Sequence, residues 1–88
     1  SGTENVAGIV GLGKAIEIAN SDLTRYNMHL RGLSDYYINE VSNRISNIKI
    51  NGDLENKLPG NVNICFAGVD GSKLIQELDR RGICSSSL

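Results

Sequence analysis

Neither sign of charge dominates this chain. Nine Lys and Arg face ten Asp and Glu across 88 residues, a formal net charge of −1. It therefore lacks the field that draws in nucleic acid or an anionic membrane, and neither is expected as a partner. Metal-ligating residues are scarce as well. Cys65, Cys84 and His29 are scattered, without Cys-x-x-Cys spacing, whereas a structural zinc site wants four ligands. No metal is expected. Two cysteines do not make the disulfide framework of a small secreted domain, so the expected setting is the reducing cytoplasm. No apolar run approaches the roughly 20 residues of a membrane span, and no basic-then-apolar signal segment opens the chain. The chain starts Ser1-Gly2-Thr3 without Met, which is expected of a piece cut from a longer protein.

What is present is ordinary globular composition, 40% hydrophobic and 22% charged, in a chain short enough that its core must be modest. From Val6 onward apolar residues recur at Ile9, Leu12, Ile16, Ala19, Leu23, Tyr26, Leu30, Leu33, Tyr37, Val41 and Ile45. That alternation of three and four is the helical period. It predicts one long helix or two joined end to end, with Asn20-Ser21-Asp22 as the place for a break. Ile48-Lys49-Ile50 alternates like a strand and Asn51-Gly52-Asp53 is turn chemistry. After a polar loop through Pro59, Val62 to Phe66 reads as a second strand. Asp70 is placed to cap a short helix through Leu74, Ile75 and Leu78 that stops at Gly82. Ile83-Cys84-Ser85 is then expected as a third strand, free to pair in parallel with the second. The fold class is α/β (α+β): a long helical arm followed by a small α/β layer.

Several motifs invite a chemical reading. Gly8, Gly13 and Lys14 sit in phosphate-loop register, but Ala15 replaces the magnesium-binding hydroxyl and no strand precedes Gly8, so helix packing is the better reading. Lys14, Lys49, Lys57 and Lys73 lie among polar neighbours, unlike a lysine held in a dry pocket for covalent catalysis. His29, off the apolar stripe, is expected at the surface. Cys84 precedes three serines with no base or helix N-terminus beside it; a nucleophile and a buried, inert strand thiol are both open readings there and at Cys65, and spacing alone does not choose. Thr3 stands just before the arm. Free amides and the helix dipole at that point suit either a hydroxyl cap or an anion such as phosphate.

Four collinear stretches, "SGTENVAGIVGLGKA" (1–15), "INGDLE" (50–55), "LPGNVNICF" (58–66) and "GVDGSKLIQELDRRGICSSS" (68–87), resemble cysteine desulfurases. These are pyridoxal-phosphate enzymes of the class V aminotransferase group. The resemblance covers essentially the whole chain but a minority of the family's length. It implies that residues 1–20 are the helix leaving the large cofactor-binding domain. Residues 21–88 would then be part of the C-terminal small domain of a fold-type I pyridoxal-phosphate enzyme.

The same resemblance implies a parent that converts L-cysteine to L-alanine and passes persulfide sulfur to a scaffold or other acceptor protein, as in iron–sulfur cluster assembly. It also implies a homodimer in which Thr3 bonds the phosphate of pyridoxal 5′-phosphate bound to the partner subunit. The lysine that holds the cofactor covalently, and the aspartate and histidine beside it, fall before Ser1. The family's catalytic cysteine ends a Ser-Ser-Gly-Ser-Ala-Cys motif. Ser86 and Ser87 match its two serines, Leu88 stands where glycine is expected, and the rest is missing, so Leu88 is expected to be foreign and no residue here is expected to be catalytic. Cys84 matches a small strand residue ahead of the motif. The alternatives are another class V enzyme, such as a selenocysteine lyase or an aminotransferase, and a non-enzymatic helical interaction module built on the three/four stripe.

Overall fold

Asn5 starts the first helix. Its side-chain Oδ1 accepts from the Gly8 amide at 3.0 Å, and its carbonyl accepts from Ile9 at 3.0 Å. A side-chain oxygen at the residue before the first turn reaches the third amide, which no helical carbonyl can serve. The computed structural model describes residues 2–87. Helix α1 runs Val6–Ser21 and α2 runs Leu23–Arg44, separated by the single turn residue Asp22. The break thus falls within the expected Asn20–Asp22 stretch. The cap is a correction: Thr3 lies two residues too early, in an exposed segment outside regular structure, and Asn5 does the capping. Gly8, Gly11 and Gly13 are all inside α1, so no phosphate loop forms.

After α2 the backbone turns through Asn47 at a φ of 58°, a left-handed value that asparagine tolerates. Strand β1 (Ile48–Ile50) pairs antiparallel with β2 (Ile64–Phe66), with Ile48 opposite Phe66, Lys49 opposite Cys65 and Ile50 opposite Ile64. The two-residue side-chain period puts Ile48, Ile50, Ile64 and Phe66 on the half-buried face and Lys49 and Cys65 on the exposed one. The ladder continues past both ends, from the Asn51 amide to the Asn63 carbonyl and from Ala67 to Asn47. Between the strands, a polar loop is organised by its own side chains. Asp53 accepts from the amides of Glu55 (2.8 Å) and Asn56 (3.1 Å), and Lys57 Nζ donates to the Asn61 carbonyl. Arg31 of α2 holds this loop down by donating to the carbonyls of Leu54 and Glu55 at 3.3 and 2.9 Å.

Helix α3 (Gly71–Arg80) opens and closes as expected. Asp70 Oδ1 accepts from Ser72 and Lys73, and Gly82 ends the helix at a φ of 77°. The closure decides the fate of the expected third strand. Gly82 donates to the Asp79 carbonyl and Ile83 to the Leu78 carbonyl, both at 2.9 Å, the paired bonds of a Schellman motif. With its amide spent on the helix end, Ile83 does not begin a sheet ladder. Residues 83–87 are irregular and exposed, the second strand starts at Ile64 instead of Val62, and no parallel pair forms among the described residues. Cys84 is therefore neither a strand residue nor buried, and Cys65, although in β2, is exposed as well. Leu88 lies outside the described residues.

The architecture is the expected one, three helices and a small sheet, with little interior. No hydrophobic side chain among the described residues is fully buried. The one buried residue among those described is Ser34, whose hydroxyl donates to the Arg31 carbonyl at 3.1 Å. Packing is confined to the second half of the apolar stripe, where Leu30, Ile38 and Val41 are half-buried alongside the inner sheet face and Leu74, Ile75 and Leu78 of α3. Every residue of α1 is exposed. Its apolar side chains, among them Val6, Val10 and Leu12 at 64, 66 and 63% exposure, are left largely uncovered by the described residues.

Candidate functional site

A catalytic site needs side chains that converge, and the described residues bring few together. The cysteines illustrate this. Cys65 faces outward from β2 opposite Lys49, and Cys84 lies in the irregular tail after α3. His29 is on the exposed side of α2, as expected. Among the described residues no group of three or more His, Cys, Asp or Glu is placed to hold a metal ion. Among the described residues no helix is long and apolar enough to cross a membrane.

The lysines are equally dispersed. Lys14 pairs with Glu17 one turn along α1 at 3.1 Å, Lys57 serves the loop backbone, and Lys49 and Lys73 are exposed. None is enclosed in a pocket of the kind a covalently acting lysine occupies. Carboxylates that do shift are structural. Arg25 hydrogen-bonds Asp22 and holds its carboxyl below the usual range, with the Arg25 guanidinium raised in return. Asp53 is lowered by its bonds from the Asn56 side chain, the Asn56 amide and the Glu55 amide.

Thr3 sits in the irregular run before α1, exposed, with the capping position taken by Asn5. That leaves the hydroxyl open to an external acceptor such as a phosphate oxygen. One hydroxyl is a single contact. The chain supplies no lysine in a closed pocket and no enclosing wall at residues 2–5, so its residues fit one phosphate bond of a pyridoxal-type cofactor and do not fit the group as a whole.

Two apolar features stand out instead. One is the bare face of α1. The other is a groove of about 330 Å³ where Tyr37 and Val41 of α2, and Ile45 just after it, meet Phe66, Val69, Leu74 and Leu78. Both arise because the sequence supplies a core-type stripe longer than the surface this chain has to cover it. The groove joins three elements through residues more than thirty positions apart in places, so the helical period alone did not reveal it.

The family model for aminotransferase class-V matches residues 1–87. The cysteine desulfurase IscS of Dictyoglomus turgidum is 46% identical over 94 residues, covering 99% of this chain and 24% of that protein. The cysteine desulfurase IscS of Clostridium botulinum (strain Hall) is 45% identical over 87 residues, covering 97% and 22%. That of Rickettsia massiliae is 40% identical over 87 residues, covering 99% and 21%. The chain thus spans between a fifth and a quarter of the length of these curated relatives. With the family model matched along residues 1–87, and relatives named cysteine desulfurases aligned over nearly all of it, the chain belongs to the class-V aminotransferase family.

Proposed function

We propose that this chain is a small-domain segment of a cysteine desulfurase, with residues 1–20 the helix that joins it to a large cofactor-binding domain and residues 21–88 part of the small domain. The observation that carries the reading is the collinear match of 99% of the chain to a cysteine desulfurase at 46% identity. The bare face of α1 supports it, since a helix that is apolar on most sides is built to be buried. In this reading the whole protein converts L-cysteine to L-alanine, keeps the sulfur as a persulfide on a cysteine beyond this chain, and passes it to an acceptor protein. It works as a pyridoxal-phosphate-dependent homodimer in the cytoplasm.

The segment's own contribution is positional. Arg31, Asp53 and the β1–β2 ladder shape the loop and sheet, while α3 delivers the chain to the serines Ser85 to Ser87. Thr3 donates its hydroxyl to the cofactor phosphate across the dimer, and the carbon–sulfur chemistry is carried by residues outside the segment. By itself the segment is inactive.

The test is to assay the intact protein that contains this chain for alanine formed from L-cysteine, with L-selenocysteine and an amino acid–keto acid pair in parallel. Alanine and transferable sulfur from L-cysteine are the expected result. Turnover restricted to selenocysteine, or amino-group transfer alone, assigns the protein to another branch of the family and overturns the reading.

A further inference from the structure

Asp22 serves two helices at once. It is the residue after the last turn of α1 and the residue before the first turn of α2. An aspartate in the second place ordinarily adopts extended backbone and turns its carboxylate onto the next amides. Here it does neither: φ is −114° and ψ is 4°, and no side-chain bond caps α2. Arg25 has taken the carboxylate, with Nε on Oδ1 at 2.9 Å and Nη2 on Oδ2.

The near-helical ψ leads α1 on into α2 with a single turn residue between them. Val6 to Arg44 as an unbroken helix would span about 57 Å at 1.5 Å per residue. The longest dimension of the whole chain is 55 Å. Nothing else restrains the arm, because no residue of α1 is even half-buried.

We propose that Asp22 is a two-position joint: paired with Arg25 it holds α1 in line with α2, and released from Arg25 it caps α2 and turns α1 away. The second position exchanges one set of bonds to the carboxylate for another, since the free amides of α2's first turn replace the guanidinium. The swing in ψ from about 0° to the extended region redirects the chain sharply at one residue. If Thr3 contacts the cofactor phosphate, as proposed above, the joint also sets where that hydroxyl is carried. The joint itself does not depend on that role, and its test does not involve Thr3.

The test is a spin-label distance measurement on the 88-residue chain, with Cys65→Ser and Cys84→Ser as background and labels at Lys14→Cys and Asn39→Cys. In line, the two sites lie about 38 Å apart, and at a right angle about 28 Å. The expected result is a main distance near the longer value and a minor shorter one. Arg25→Gln raises the shorter population about twofold, the scale of a helix-surface ion pair. Arg25→Lys keeps a charge partner and stays near wild type. Asp22→Ala combined with Arg25→Gln loses the gain, because alanine cannot cap. Circular dichroism on each variant confirms that helix content is retained. A single unchanged distance in wild type and Arg25→Gln overturns the proposal, as does an equal gain in Arg25→Gln and the double variant.

Discussion

Replacing Asp70 with alanine should open the start of α3 without unfolding the sheet. Asp70 Oδ1 accepts from Ser72 at 2.9 Å and from Lys73 at 3.2 Å, two amides that no helical carbonyl can reach. Losing such a cap costs about 1 kcal/mol, which is about a fivefold shift in the local opening equilibrium at room temperature. The effect should be visible because α3 has only 10 residues, too few to hold a helix without packing. Its packing consists of Leu74, Ile75 and Leu78, all half-buried and none fully covered. The backbone bond from Leu74 to the Asp70 carbonyl survives the substitution, so the loss is confined to the side chain. Amide hydrogen exchange read residue by residue is the assay. Ser72 and Lys73 should exchange about fivefold faster in Asp70→Ala, while β2 amides stay unchanged. Asp70→Asn should remain near wild type, because asparagine caps as well as aspartate. Equal protection in wild type and Asp70→Ala, or equal loss in the alanine and asparagine variants, would refute the assignment of the cap.

Gly82→Ala places a Cβ at a φ of 77°, and it should lower stability by about 1–2 kcal/mol in urea unfolding, whereas Gly11→Ala in open space should not destabilise. The Asp53 loop should loosen in acid. Its carboxyl is lowered on folding, so the loop's share of stability is complete above the ordinary carboxylate pKa near 3.8 and is lost as pH falls through the lower folded value. Amide shifts of Glu55 and Asn56 should titrate in that acid range and stay flat at neutral pH, and a transition at neutral pH would contradict the cause given. The bare face of α1 should bind an apolar dye, and Leu12→Ser with Ile16→Ser should reduce the signal. A wild-type chain with no dye binding would show that this face is covered.

The sequence was most legible where a local rule acts alone. The helical period located α1 and α2, the Asn20–Asp22 stretch marked the break between them, and Asp70 and Gly82 bracketed α3 to within a residue. It misled where two local rules compete for one group. Ile83 has the look of a strand residue, but its amide completes the helix closure begun by Gly82. Thr3 and Asn5 are both capping types, and distance to the Gly8 amide selects Asn5. Burial was the least legible property. Cys65 and Cys84 have the neighbours of buried thiols, yet a chain with this little interior leaves both exposed. As for the candidate site, spacing alone left Thr3 between a cap and an anion contact. The structure removes the cap, and only resemblance to the family points toward the phosphate.

The central claim, that this chain belongs to a cysteine desulfurase whose chemistry lies outside residues 1–88, is tested most directly by one paired measurement. Alanine formation from L-cysteine is followed in the presence of pyridoxal phosphate, for the intact protein and for the 88-residue chain side by side. The account predicts turnover by the intact protein and none by the chain beyond that of free cofactor. Turnover by the isolated chain, or none by the intact protein, would contradict it.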